Sequence, residues 1–308
     1  MEEGIENRYE LPDYAKDLMS FLCDILGNRD FIFYGGAAAD LIKNRECWVN
    51  DYDIAISGKT QENIRSIRES LRRNGFRIIE PYRRYKIYHD MEVVLVYAQR
   101  DGVMLDICFM DDVKAVGQFN LESLYWDHRD MRCVDNYDAV RSIIEKKIVP
   151  IRGLDKENVF LLASRFLYLC SKYDICLTVS DNHGILDNLC GRLDKEGGRG
   201  EGSAQYISCL SAVFKSILKS GNRESFICQL VDCGIVEYFY PAMQGSLEEI
   251  IRNGSELEAI RTAEDKKVLA DIIGKHMAEE DRHALREKLG ALSARKWNEE
   301  DRKLREFS

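Results

Sequence analysis

Two stretches near the N-terminus decide the fold: Phe31-Ile32-Phe33-Tyr34-Gly35-Gly36-Ala37-Ala38-Ala39-Asp40-Leu41-Ile42 and Asn50-Asp51-Tyr52-Asp53-Ile54-Ala55-Ile56. The first is typical of an apolar strand that runs through a glycine turn into a helix. The second is typical of another strand. Because side chains alternate between the two faces of a strand, Asp51 and Asp53 are predicted to share one face, while Tyr52 and Ile54 point to the other.

This arrangement has a chemical meaning. Two carboxylates held on one side of a strand offer oxygen ligands to a hard cation, and a glycine turn at a helix start offers N–H groups to phosphates. Asp106 is a third candidate, because it is the single charge in the apolar stretch Val103–Phe109. A buried lone acid is costly, and a divalent cation at Asp51 and Asp53 would be its partner. The pattern predicts a site for a metal-bound nucleoside triphosphate. The alternatives are a solvated Asp-x-Asp loop and, for Asp106, a surface acid on an edge strand.

The composition narrows the class of protein. A length of 308 residues fits two domains, and 45% hydrophobic residues with only 4 prolines argue against a disordered chain. No apolar run reaches the length of a membrane span, and the first residues resemble no signal peptide, so no membrane partner is expected. The 10 cysteines form no Cys-x-x-Cys pair, which favours reduced thiols and a cytoplasmic location.

The charge distribution permits two interpretations. A net charge of −9 argues weakly against a large surface for binding polyanions. Basic residues nevertheless cluster after the Asp-x-Asp strand, at Arg65, Arg68, Arg72, Arg73, Arg77, Arg83, Arg84 and Lys86. They form either a solvated helix face or a positive patch near the candidate site.

The periodicity of apolar residues predicts an α+β fold. Helices are expected over 12–27, 37–45 and 61–73, with Thr60 as an N-cap, and strands over 31–34, 51–56, 76–79, 91–97 and 103–109. Asp101-Gly102 is a strong hairpin signal. The pattern turns helical from about residue 137, and the glycine-rich stretch over 191–202 is predicted to be a connector. Helices are expected to resume over roughly 203–219, 222–233 and 246–260. We therefore expect a small mixed sheet with helices on one side (residues 1–140), followed by an all-helical neck and body (141–308).

In its glycine pair and its three acids, the chain resembles the DNA polymerase β-like nucleotidyltransferase superfamily. Within that superfamily it resembles the class II bacterial poly(A) polymerases and CCA-adding enzymes. The family's Gly-Gly-x-x-Arg-Asp and Asp-x-Asp-Ile motifs look like Gly35–Asp40 and Asp51–Ile54, and its later acidic strand looks like Leu105–Phe109. Weaker likenesses are found at Asn44-Arg45, Phe119–Asp127, Ala163–Phe166 and Cys233–Pro241.

The resemblance implies a function and a set of roles. It implies transfer of a nucleoside monophosphate from a nucleoside triphosphate such as ATP to an acceptor hydroxyl at the 3′ end of an RNA or tRNA. Asp51, Asp53 and Asp106 would be the catalytic residues and the ligands of Mg²⁺ or Mn²⁺, which activates the acceptor hydroxyl. Gly35 and Gly36 would bind the phosphates, and the resemblance adds Arg45 and Arg165 as nucleotide-binding residues.

The chain also departs from the family pattern. The arginine of the first motif is Ala39 here, the family's Arg-Arg-Asp falls on Val116-Gly117-Gln118, and its later asparagine is Glu122. The base-reading arginine of the neck falls on Val159. A second hypothesis is therefore a nucleotidyltransferase that modifies a protein or a small molecule. A third is a binding module that has lost catalysis.

Overall fold

The structure is a computed structural model and describes residues 10–27, 29–43, 49, 51–79, 83–87, 91–111, 113, 117–151, 153–154, 158–178, 180–196, 204–254 and 256–290. The chain divides into two compact units. The first unit comprises residues 1–145 and 149–156, and the second comprises 146–148 and 157–308. The sequence places the domain boundary between 140 and 141.

The first unit alternates helices and strands. Its elements are α1 (Asp13–Leu26), β1 (Phe31–Tyr34), α2 (Gly35–Lys43), β2 (Asp51–Ser57), α3 (Gln61–Arg73), β3 (Arg77–Ile78), β4 (Arg83–Ile87), β5 (Met91–Arg100), β6 (Val103–Met110), β7 (Tyr125–Asp127), β8 (Cys133–Val134) and α4 (Ala139–Glu145).

The eight strands form one mixed sheet. The order is β3-β5-β6-β2-β1-β7-β8, and β4 pairs with β5 off this path. The β2–β6 pair is parallel, whereas the other strand pairs are antiparallel. This sheet with its helices confirms the predicted α+β class. Strands β4, β7 and β8 were not predicted, because they are short and carry no regular apolar alternation.

Helices α1, α2 and α3 lie on the face of the sheet to which Tyr52 points. The indole N–H of Trp126 donates to the Ala38 carbonyl of α2 at 3.2 Å. Burial and the neighbouring Tyr14 of α1 raise the pKa of Tyr52. Helix α3 joins α1 through the Ser70 hydroxyl, which donates to the Ile25 carbonyl at 2.8 Å. The opposite face of the sheet, which carries the carboxylates, is therefore not covered by these three helices.

Local sequence signals account for the turns around the sheet. Thr60 caps α3, since its Oγ1 accepts from the Asn63 N–H at 3.3 Å. Asp101 and Gly102 both have positive φ, at +49° and +81°, and join β5 directly to β6. Positive φ at both central residues is the geometry that makes Asp-Gly a favoured two-residue hairpin turn.

The second unit is helical. Its helices are α5 (Val159–Tyr173), α6 (Ser180–Glu196), α7 (Ala204–Lys219), α8 (Arg223–Asp232), α9 (Pro241–Asn253), α10 (Leu257–Thr262), α11 (Lys266–Ile273) and α12 (279–290).

Two details of the predicted helical region are wrong. Residues 191–196 belong to the end of α6 and not to a connector. The helix predicted over roughly 246–260 is interrupted, because Gly254 at φ +67° ends α9 before α10 begins. A residue with positive φ stops an α-helix, and glycine adopts that conformation without strain.

No helix in the described ranges is both long enough and apolar enough to cross a membrane. The nine cysteines in these ranges form no disulfide with one another.

Candidate functional site

The parallel β2–β6 pair brings the predicted carboxylates together. Asp53 lies directly opposite Asp106, and Asp51 lies opposite Met104. Because in-register residues of neighbouring strands point to the same face, Asp51, Asp53 and Asp106 share one face of the sheet. Strand β6 lies between β5 and β2, so Asp106 is not on an edge strand. Asp51 is exposed, while Asp53 and Asp106 are half-buried.

Tyrosines flank the two central carboxylates. The strand register places Tyr34 of β1 opposite Asp53 and Tyr97 of β5 opposite Asp106. Tyr125 of β7 is in turn opposite Tyr34. One row across the sheet thus reads Tyr125, Tyr34, Asp53, Asp106, Tyr97. The sequence reasoning did not identify these tyrosines, since only the strand pairing shows that they adjoin the acids.

The glycine pair lies against Asp53. Helix α2 begins at Gly35, directly after β1, and the Gly36 N–H donates to Asp53 Oδ2 at 3.2 Å. Gly35 has φ +65°, and a Cβ atom there would lie 2.8 Å from Asp53 Oδ2. Both the backbone conformation and the closeness of the carboxylate therefore require glycine at position 35.

An apolar cluster lies on the same face of the sheet as the carboxylates, next to them along the strands. It includes Ile32, Ala55, Leu95 and Cys108, with Tyr34 and Tyr97 packed against it. Burial, assisted by the nearby charges of Asp106 and Asp53 and partly opposed by a hydrogen bond with Tyr34, raises the pKa of the Cys108 thiol to about 12. Cys108 thus remains a neutral thiol at physiological pH, and the acids border a region of low polarity.

The donor set matches a hard cation in its chemistry. Carboxylate oxygens are the ligands that Mg²⁺ and Mn²⁺ prefer. In the part of the chain that the structure describes, however, no three Asp, Glu, His or Cys side chains are arranged to hold a metal ion. Asp53 instead accepts the Gly36 N–H. The three acids therefore share a face and a donor chemistry without forming a closed ligand cage.

The remaining predicted residues lie elsewhere. Arg45 lies outside the described residues. Arg165 is on α5 in the second unit, with its guanidinium carbon 5.7 Å from the centre of the Tyr168 ring. Of the basic cluster, Arg65, Arg72 and Arg73 are exposed on α3, which packs on the face of the sheet opposite the acids. For α3 the structure favours the solvated helix face over a positive patch at the site.

A buried acid beside β7 was recognised only as a departure from the family. Glu122 is 3% exposed, and its Oε2 accepts the backbone N–H groups of Gln118 at 3.0 Å and Phe119 at 3.3 Å. Gly117, at φ +91°, lies against the Glu122 backbone. Glu122 therefore holds the 117–122 loop in place, a role that depends on chain folding and has no motif of its own.

Comparisons with known proteins agree with this fold. No family model matches the chain, and no curated protein sequence matches it. Among solved structures 37 chains match. One is a tRNA-processing enzyme in an apo form, with a TM-score of 0.61 and 13% identity over 98% of this chain and 80% of that chain. Another is the Thermotoga maritima CCA-adding enzyme complexed with tRNA, with a TM-score of 0.57 and 15% identity over 89% and 65%. A third is a CCA-adding enzyme with CTP, with a TM-score of 0.54 and 15% identity over 90% and 66%.

The fold is thus that of the CCA-adding and tRNA-processing enzymes. The chain spans 80% of the length of the first of these structures, and just under two thirds of the lengths of the other two. At 13–15% identity, the likeness confirms the resemblance inferred from the motifs at the level of the fold.

Proposed function

We propose that this protein is a metal-dependent nucleotidyltransferase that moves a nucleoside monophosphate from a nucleoside triphosphate to the 3′ hydroxyl of an RNA. The observation that carries the proposal is the in-register pair Asp53 and Asp106 beside the N-terminus of α2. Support comes from the shared fold, since the similar structures include CCA-adding enzymes with CTP, with ATP and with tRNA.

The carboxylates would hold the metal. Asp51, Asp53 and Asp106 supply oxygen ligands, and Mg²⁺ bound there would lower the pKa of the acceptor hydroxyl and neutralise charge on the phosphates. The Gly36 N–H at the start of α2 would donate to a phosphate oxygen, because a helix N-terminus favours an anion. Neutral Cys108 and the apolar cluster beside the acids would strengthen these charge interactions by lowering the local polarity.

The Asp53–Gly36 hydrogen bond couples the two kinds of ligand. In the structure, the Asp53 carboxylate, which would bind a cation, accepts a hydrogen bond from the Gly36 N–H, which would bind a phosphate. If Asp53 bound a cation instead, the Gly36 N–H could donate to a phosphate oxygen. We therefore expect Mg²⁺ and triphosphate to bind more tightly together than either does alone.

A second candidate is transfer to a protein or to a small molecule. It is favoured by Val159, which is fully buried at the position where the resemblance places the base-reading arginine. Ala39, at the position of the motif arginine, is fully buried as well. A chain without these arginines would select its nucleotide and its acceptor by other contacts.

The activity test uses α-labelled nucleoside triphosphates with Mg²⁺, offered total RNA or proteins from a lysate. Label on RNA is the expected result, and Asp53→Asn and Asp106→Asn should each reduce it on the order of 100- to 1,000-fold. Asp24→Asn is the matched control, because Asp24 is an exposed acid on α1. Label on protein would favour the second candidate. No carboxylate-dependent label on any acceptor would refute a transferase.

Metal binding is measured separately by thermal unfolding. Two carboxylates about 5 Å apart repel each other by roughly 1–3 kcal/mol. Asp106→Asn should therefore raise the melting temperature by a few degrees in EDTA and abolish the rise that Mg²⁺ produces in the parent protein. Asp24→Asn should leave the Mg²⁺ response intact. An equal Mg²⁺ response in all three proteins would refute the metal site.

A further inference from the structure

Helices α5 and α7 pack side by side and run in the same direction. The Cys209 thiol hydrogen bonds with the Ser164 side chain, and the Ser171 hydroxyl donates to the Ser216 carbonyl. From the first contact to the second, the chain moves seven residues toward the C-terminus on α5 and also seven on α7. The two helices are therefore parallel. The pair therefore presents one continuous outer surface, formed by the positions of each helix that are not buried.

The charged residues that α5 and α7 contribute to this surface have one sign. Neither α5 nor α7 contains an Asp or a Glu, although acids make up 53 of the 308 residues and the net charge is −9. The charged residues of the two helices are Arg165, Lys172, Lys215 and Lys219. Lys215 and Lys219 are exposed, and Arg165 and Lys172 are half-buried. Along the chain, the nearest acids are Glu157 and Asp174 on either side of α5, and Glu201 and Glu224 on either side of α7.

An aromatic ring orders the cations. Lys215 Nζ lies 4.8 Å from the centre of the Tyr168 ring, and the Arg165 guanidinium carbon lies 5.7 Å from it. A cation over an aromatic face is held by the ring quadrupole, and it keeps its charge. Tyr168 thus fixes two positive groups from two helices at one place.

Neighbouring segments extend the positive surface at both ends. Lys146, which belongs to the second unit, donates to the Tyr173 carbonyl at the end of α5 at 2.5 Å. Lys172 lies 5.5 Å from the centre of the Tyr173 ring. On the far side of α7, Lys266 of α11 donates to the Ser211 hydroxyl at 2.6 Å. We call the surface formed by Arg165, Tyr168, Lys172, Lys215 and Lys219, with Lys146 and Lys266 at its ends, the basic face.

We propose that the basic face binds the sugar-phosphate backbone of the RNA acceptor. The inference rests on the proposed function for the choice of RNA, while the charge of the surface calls for a polyanion in any case. Several cations spaced along parallel helices match a chain of repeated phosphates better than they match a single anion. Binding by this face would be insensitive to base sequence and strongly dependent on salt, because phosphate contacts release counterions and do not read bases.

The test compares two triple variants of the full chain by fluorescence anisotropy with a labelled RNA hairpin that ends in a single-stranded 3′ tail. Lys172→Gln/Lys215→Gln/Lys219→Gln should weaken binding about tenfold or more near 150 mM salt. It should also flatten the slope of log affinity against log salt by about 2. Lys195→Gln/Lys267→Gln/Lys275→Gln removes the same charge from exposed lysines elsewhere, and it should change neither quantity appreciably. Arg165 is left intact because it is also a candidate nucleotide-binding residue.

The outcomes separate this inference from the proposed transferase. Binding is measured without nucleoside triphosphate, and it should persist in Asp106→Asn, so loss of transfer alone leaves the basic face standing. Equal weakening by both triple variants would overturn the inference, and so would an RNA affinity that neither variant alters. A basic face that binds anionic vesicles or polyglutamate but not RNA would also overturn it, because the partner would then be of another class.

Discussion

At the scale of the residue, the candidate site depends on one close approach. Asp53 reaches the N-terminus of α2 because Gly35 has no side chain and turns the chain at φ +65°. The same approach brings the proposed cation ligand Asp53 into contact with the N–H of Gly36, the proposed phosphate-binding group. A substitution at position 35 is therefore expected to destabilise the fold for two reasons: the positive φ, and the space that Asp53 already fills.

Gly35→Ala tests both effects. The left-handed conformation costs a non-glycine residue roughly 1–2 kcal/mol, and displacing Asp53 from 2.8 Å adds to that cost. Gly102→Ala is the matched control, since Gly102 has φ +81° and its added Cβ would meet nothing within 4 Å. We expect urea denaturation to show Gly35→Ala as the more destabilised of the two. Equal losses would mean that Asp53 moves away freely.

At the scale of the element, the loop over 117–122 stands out for its buried polar groups. Glu122 satisfies two backbone N–H groups, as described above. The amide nitrogen and oxygen of Gln118 are buried and have no hydrogen-bond partner among the described residues, and Gln118 is 3% exposed. A buried charge that accepts two hydrogen bonds stabilises a loop, whereas a buried amide without partners costs free energy.

Two substitutions in this loop should therefore have opposite signs. Glu122→Gln removes the charge and places a second amide in the interior, so it should lower the free energy of unfolding by about 1–3 kcal/mol. Gln118→Met replaces the amide with an apolar chain of similar length and should be neutral or stabilising by about 1 kcal/mol. Chemical denaturation measures both. A stabilising Glu122→Gln would contradict the role assigned to that carboxylate.

At the scale of the whole molecule, buried thiols make the fold sensitive to alkali. Burial raises the pKa of Cys108 to about 12 from an ordinary value of 9.0. Between these two values the unfolded chain loses the proton while the folded chain keeps it. The unfolded state then binds fewer protons, so the free energy of unfolding falls as the pH rises above 9.

The size of this effect can be measured by urea denaturation at pH 8 and pH 10. Cys108 should account for a loss of about 1 kcal/mol between these values. Cys108→Ala should remove that part of the loss. Met110→Ala, at a buried position on the same face of β6, creates a cavity without removing a titrating group, and it should keep the full pH dependence. The same pH dependence in both variants would show that Cys108 does not titrate as described.

The sequence by itself determined the local features of this protein. Alternation in Asp51–Ile56 placed two acids on one face, Asp101-Gly102 marked a hairpin, and Thr60 marked the start of α3, because each depends only on neighbouring residues. The tertiary structure decided which strands became neighbours. It set Asp106 opposite Asp53, placed Tyr34 and Tyr97 on either side of them, and brought α5 beside α7. These relations join residues far apart in the chain, and they follow from how the whole apolar surface is buried, which no local pattern records.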